Sequence, residues 1–201
     1  MPEPERPVPA DVPLFVDLDG TLVRTDLLRD AFRDRLKRDW RLPVRAIGWL
    51  VRGMATLKTR LAEGRTLSVD RLPYNAAVLE HIRRARSAGR PVHLATAGHA
   101  LLARQVAAHL GLFDSVIATE PGRNLDGRGK LARLRELAGS DRFEYVGNGR
   151  ADIPIWEACA HAVVVAPDAA ARRWMARHPG RARLLGERRA GRAVDAAHSS
   201  D

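Results

Sequence analysis

Leu14-Phe15-Val16-Asp17-Leu18-Asp19-Gly20-Thr21 is the stretch on which the fold turns. Three apolar residues run into two aspartates, a glycine and a threonine, the pattern of a short buried strand that ends in a turn. Two carboxylates that leave a buried strand two residues apart repel each other and lose hydration. They need a cation or a proton to be tolerated. Gly20 lets the backbone turn sharply, and Thr21 can offer an amide and a hydroxyl to an anion.

On the C-terminal side, apolar residues recur at Leu28, Phe32, Leu36 and Trp40, one helical stripe that Leu42-Pro43 breaks. A second amphipathic run follows at Val44, Ile47, Leu50, Val51, Met54, Leu57 and Leu61. Arg45 and Arg52 lie on another face of it, and Gly64 stops it. These runs predict an all-helical insert of two helices over residues 27–65. After Pro73 the texture becomes alternating helix and strand. Helices are expected over 75–88, 99–110, 130–138, 153–159 and 168–178, and strands over 91–95, 115–118, 143–146 and 162–165. Such alternation means βαβ units and an α/β fold with a parallel sheet. The core is thus expected over residues 13–26 and 66–179. Residues 1–12, with prolines at 2, 4, 7 and 9, and the Arg-, Ala- and Ser-rich residues 180–201 read as flexible termini.

Composition narrows the function classes. A chain of 201 residues, 45% of them hydrophobic, is one domain with enough apolar material for a core. Cys159 is the single cysteine, which excludes an internal disulfide and a Cys-based zinc site and favours a reducing compartment. The amino-terminal stretch lacks the apolar centre of a secretion signal, and no window approaches a membrane span, so a cytoplasmic protein is expected. The net charge is +10, with +6 in residues 27–64 and +5 in residues 171–201. Of 34 basic residues only Lys37, Lys58 and Lys130 are lysine, a bias of coding preference rather than a nucleic-acid signature, and no nucleic-acid partner is expected. Lysine used this sparingly makes each one worth following.

In an open parallel sheet, ligands gather at the carboxyl ends of the strands. Polar residues stand at several such ends here. Asp17 and Asp19 follow the first strand. Thr96-Ala97-Gly98 forms an anion-binding corner with a hydroxyl and amides, and Lys130 can bring an ammonium over it. Asn148 and Asp152, four residues apart across a tight turn, can supply further oxygens to a metal. Magnesium suits a site of hard oxygens that also takes phosphate. Together these parts suit phosphoryl transfer.

Asp17-Leu18-Asp19-Gly20-Thr21 resembles the first motif, D-x-D-G-T, of the haloacid dehalogenase (HAD) superfamily. Thr96 resembles its second motif, Lys130 its third, and Gly147-Asn148-Gly149-Arg150-Ala151-Asp152 its fourth, G-D-x-x-x-D, in the same order and over residues 13–168. The resemblance implies a three-layer Rossmann-like core with a small helical cap after the first strand. It also implies a Mg2+-dependent hydrolase acting through an aspartyl phosphate. Asp17 would attack phosphorus, and Asp19 would protonate the leaving oxygen and later activate water. Thr96 and Lys130 would hold the phosphoryl group, with Gly20, Thr21, Ala97 and Gly98 around it. Asp17, the Asp19 carbonyl, Asn148 and Asp152 would bind the metal. The second aspartate points to phosphate esters, because the dehalogenase branch lacks it and the ion-pumping branch has threonine there.

Further stretches are similar to the HAD domain fused ahead of UbiA-type prenyltransferases: Leu72-Pro73-Tyr74-Asn75, Asn124-Leu125-Asp126-Gly127 and Ala151-Asp152-Ile153-Pro154-Ile155-Trp156. The expected substrate is a small-molecule or lipid phosphate monoester, such as a sugar or prenyl phosphate. The departure from the family is Asn148, where aspartate is usual; an amide oxygen still ligates magnesium but brings no charge. The alternatives are a catalytically weak binding or regulatory module at the membrane surface, or a phosphotransferase. The basic insert, with Trp40 and Trp49, is the candidate for peripheral contact with the inner membrane face, against a plain packing role. Cys159 and Trp156 read as core residues, and His99 as incidental at a helix start.

Overall fold

The apolar burst Leu14–Val16 is strand β1, and its three side chains are fully buried. The computed structural model describes residues 8–37, 39–63, 68–120, 125 and 127–186. The arm before residue 8, the stop expected at Gly64, Asn124, Asp126 and the tail after residue 186 lie outside the described residues.

Between β1 and the rest of the core stand α1 (Leu27–Leu36), α2 (Leu42–Val51) and α3 (Met54–Ala62). The Asp26 carboxylate starts α1 by accepting from the Arg29 amide. The insert has three helices instead of two. Apolar spacing runs unbroken from Val44 to Leu61, but Gly53 at φ +107° splits that run into α2 and α3. The chain leaves for the insert and returns from it at one place: Val23 bridges Tyr74, and the Asn75 amide donates to Leu22 O at 2.9 Å.

The remaining elements are α4 (Ala76–Ser87), β2 (Val92–His99), α5 (Ala100–Leu110), β3 (Ser115–Thr119), α6 (Gly127–Ala138), β4 (Glu144–Gly147), α7 (Ile153–Ala158), β5 (His161–Val165), α8 (Ala169–Arg177) and β6 (Ala182–Leu185). All pairings are parallel, in the order β3-β2-β1-β4-β5-β6. The fold is therefore the expected α/β type, a six-stranded parallel sheet flanked by helices. Strand alternation divides its core in two. Leu14, Val16, Val146 and Val163 pack with α4 and α5 on one face. Phe15, Tyr145 and Val164 pack with α6, α7 and α8 on the other.

β6 corrects the expectation of a flexible chain from residue 180. An edge strand needs only main-chain partners and a few apolar contacts. Ala182 and Leu185 supply these against β5, hidden in an arginine-rich composition.

Val16 lies opposite Leu94 on one side and Val146 on the other. That register brings the carboxyl ends of β1, β2 and β4 to one edge, where Asp17, Thr96 and Asn148 follow. Thr96 falls where β2 loses register with β3, between Ala95 and His99.

Candidate active site

Lys130, Asp17 and Asp152 are far apart in sequence and meet at this edge. Lys130 Nζ lies 3.0 Å from Asp17 Oδ1 and 3.2 Å from Asp152 Oδ1, with all three side chains at least nine-tenths buried. Burial alone would lower the Lys130 pKa, but the two carboxylates outweigh it and the net direction is upward. Asp17 is pushed up to about 6, chiefly by burial and further by the charge of Asp152, with Lys130 pulling the other way. The Thr21 hydroxyl donates to Asp17 Oδ2 at 3.1 Å.

Asp152 is fully engaged. Its Oδ1 accepts from Lys130 and from the Tyr145 hydroxyl at 2.6 Å; its Oδ2 accepts the amides of Asn148 and Gly149 at 2.9 and 3.1 Å. Tyr145 also lies under the Lys130 ammonium, its ring centroid 5.2 Å from Nζ. Asp152 thus fastens the Gly147–Gly149 turn and Lys130 to each other. Tyr145 escaped the sequence reading because a tyrosine inside a buried strand looks like any apolar residue.

Asp19 is the more open carboxylate. Its Oδ1 accepts the Leu27 amide at 2.8 Å, so the first residue of α1 is tied to it, and its Oδ2 lies 3.4 Å from the Thr96 hydroxyl. Burial of the group raises its pKa to about 7. A β-carbon on Gly98 would stand 3.1 Å from both Asp19 Oδ2 and Thr96 Oγ1, so a glycine keeps this corner open.

The amides expected to face an anion at Gly20, Thr21 and Gly98 instead carry internal bonds, to Thr25 O at 3.2 Å, Leu18 O at 3.4 Å and Thr96 Oγ1 at 2.8 Å. Buried amides find acceptors within the turn itself. Ala97 contributes its carbonyl, which accepts from Lys58 Nζ at 2.6 Å and from the Thr119 hydroxyl at 2.8 Å. Lys58 comes from α3, so the insert reaches the Thr96–Gly98 corner with a buried lysine. His99 is not incidental: its Nδ1 accepts the Leu101 amide at 3.2 Å, capping α5, and its Nε2 meets Thr59 Oγ1 of α3 at 3.2 Å. Lysine scarcity was the one signal that pointed at Lys58. Cys159 is buried, and burial pushes its thiol up to about 12, in keeping with a packing role.

Asn148 lies against the β1 turn. A β-carbon on Gly20, whose φ is +76°, would come within 2.3 Å of its side-chain nitrogen. Asp17, the Asp19 carbonyl and the Asn148 amide oxygen are hard donors on adjoining turns. The buried carboxylates beside them carry charge that a hard divalent ion would compensate, so the donor set fits magnesium. Among the described residues no group of three or more His, Cys, Asp or Glu side chains is poised for a metal, and Asp152 is spent on its own contacts. A cation here would take its remaining ligands from water and substrate, as magnesium commonly does.

A parallel sheet that delivers two aspartates, a threonine, a lysine and an Asn/Asp turn to one carboxyl edge is a Rossmann-like α/β fold with a candidate site at that edge. The chain belongs to the haloacid dehalogenase-like hydrolase family, whose model matches residues 14–157. The uncharacterised protein y4nM of Sinorhizobium fredii is 40% identical over 154 residues, 77% of this chain but only 30% of that protein's length. Among solved structures, a protein of unknown function from Bordetella pertussis superposes with a TM-score of 0.67 at 18% identity, covering 87% of this chain and 97% of its own. A HAD family hydrolase from Salmonella enterica serovar Typhi gives 0.63 at 14% identity, covering 84% and 66%. A substrate-bound phosphoserine phosphatase gives 0.57 at 15% identity, covering 81% and 90%. These distant structures share the fold.

Proposed function

We propose that the protein is a magnesium-dependent phosphomonoesterase working through an aspartyl phosphate on Asp17. The observation that carries this reading is Lys130, whose ammonium joins Asp17 and Asp152 beside Asp19 and Thr96. In the first step an Asp17 oxygen forms a bond to phosphorus, the ester P–O bond breaks, and the leaving oxygen takes a proton from the Asp19 carboxyl. In the second, the Asp19 carboxylate takes a proton from water, whose oxygen bonds to phosphorus and frees phosphate and Asp17. Lys130 and the Thr96 hydroxyl orient and neutralise the phosphoryl oxygens. Magnesium on Asp17, the Asp19 carbonyl and Asn148 would offset the charge that gathers on the transferring group. The test is hydrolysis of an aryl phosphate with magnesium against Asp17→Asn. A loss of at least a thousandfold is expected, and equal rates overturn the reading. The phosphotransferase alternative shares the first step and differs in whether water or an alcohol accepts the phosphoryl group. The catalytically weak alternative rests on Asn148, and a large gain in turnover on Asn148→Asp would favour it.

The substrate we assign is a sugar or prenyl phosphate met at the cytoplasmic face of a membrane. Seven large apolar side chains between Leu36 and Met54 are exposed, with Trp40 at 78% and Val51 at 83%. Residues 40–62 contain no acidic residue, while Arg41, Arg45 and Arg52 accompany α2. An exposed apolar face beside arginines and a tryptophan suits the interface of an anionic bilayer. Among the described residues no helix is long and apolar enough to cross one. Co-sedimentation with vesicles rich in anionic lipid, lost on Ile47→Asp, is expected; equal binding to neutral vesicles, or none, overturns the assignment.

A further inference from the structure

The break in β2 leaves one carbonyl to be satisfied by side chains. The last pair of β1 with β2 is Val16 with Leu94, and the register of β2 with β3 lapses between Ala95 and His99. Ala97 falls outside both ladders, and a carbonyl released from its ladder needs other donors. The Thr119 hydroxyl donates to it at 2.8 Å and the Lys58 ammonium at 2.6 Å. Thr119 is fully buried, and its oxygen accepts from Lys58 Nζ at 3.4 Å and from the Leu125 amide at 3.0 Å. Lys58 is 8% exposed and enters from α3, whose next residue, Thr59, meets His99 Nε2 at 3.2 Å.

The carbonyl so held is one end of the Ala97–Gly98 peptide. At the other end the Gly98 amide donates to Thr96 Oγ1 at 2.8 Å. A peptide group is planar, so a clamp on its oxygen also fixes the direction of its N–H. That N–H fixes the rotamer of Thr96, whose hydroxyl stands 3.4 Å from Asp19 Oδ2. A cation on the carbonyl also polarises the peptide and strengthens the amide as a donor. Without the clamp this peptide can turn over at little cost, because the glycine that follows it has no β-carbon to restrict φ. Two hydrogen bonds and one rigid plane thus run from the insert to the Thr96 hydroxyl.

We propose that Lys58 is a positioning residue, which sets the Thr96 hydroxyl from the insert through the Ala97–Gly98 peptide. Its effect on turnover rests on Thr96 orienting the phosphoryl oxygens, whereas the mechanical link stands apart from that chemistry. In the isotope-labelled full chain, Lys58→Met should move the Gly98 amide resonance and speed its exchange with solvent about tenfold, with the Val163 amide unchanged. An unmoved Gly98 amide overturns the link, whatever the chain hydrolyses. In hydrolysis of an aryl phosphate with magnesium, at a temperature where every variant is folded by circular dichroism, Thr96→Ala should lower kcat about a hundredfold. Lys58→Met should lower it about tenfold. Lys58→Met added to Thr96→Ala should cost nothing further, because a residue that acts through another has no effect once that other is gone. Lys58→Arg, which keeps a charged donor, should recover most of the loss. Losses that multiply in the double variant, or wild-type kcat in Lys58→Met, overturn the positioning role. Wild-type turnover no faster than that of Asp17→Asn overturns the phosphatase reading instead, and the Gly98 resonance then decides the link by itself.

Discussion

The two edges of the sheet are mirror images in charge. At the carboxyl edge the carboxylates of Asp17 and Asp152 flank one ammonium, Lys130. At the amino edge the guanidiniums of Arg90 and Arg183 and the imidazole of His81 surround one carboxylate, Glu144. In each case a single buried ion holds two or more groups of the opposite sign. β4 connects them. Glu144 opens the strand, Tyr145 sends its hydroxyl to Asp152, and Gly147 closes it, a span on the order of 10 Å at 3.3 Å per residue.

If the minority ions are the keystones, removing one should cost more than removing any neighbour. Lys130→Met leaves Asp17 and Asp152 buried without their cation. The expected loss is about 3–5 kcal/mol, read from urea unfolding midpoints, together with loss of the phosphatase activity proposed for this site. At the other edge, hydrogen bonds and charge from His81 and Arg90 overcome burial and hold Glu144 down to about 2, against 4.5 ordinarily. A depressed carboxylate stabilises the fold above its unfolded pKa and loses that contribution as pH falls through its folded one. Between pH 4.5 and 2 the protein should therefore lose on the order of 3 kcal/mol through this group. Glu144→Gln should remove that part of the acid sensitivity, and an unchanged acid profile in the variant would break the symmetry. The smallest effect belongs to the link between the edges: Tyr145→Phe deletes one hydrogen bond to a charged acceptor, about 2 kcal/mol in thermal or urea unfolding.

The carboxyl edge was legible because its residues announce themselves. Two aspartates after an apolar burst have no comfortable place except beside a cation, and strand ends are where parallel sheets put ligands. The amino edge was not legible, since Glu144, Arg90 and Arg183 are ordinary charged residues until parallel register brings their strand starts together. Lys58 reaches the site's surroundings only through the packing of α3 on the sheet edge, where Thr59 of the same helix meets His99, and no local pattern encodes that packing. Gly53 was visible, but a glycine inside a regular apolar period does not by itself reveal a positive φ. β6 was lost in a composition that reads as solvated tail, where only Ala182 and Leu185 carry the packing.

Val23 and Tyr74 face each other across a single rung, with the whole helical insert strung between them. A loop whose two feet touch can be lengthened, trimmed or exchanged without moving the sheet beneath it. The insert and the sheet beneath it are therefore free to evolve at different rates, joined among the described residues by the bonds of Lys58, Thr59 and Leu27 and by the packing of Leu27 and Ala62 into the core.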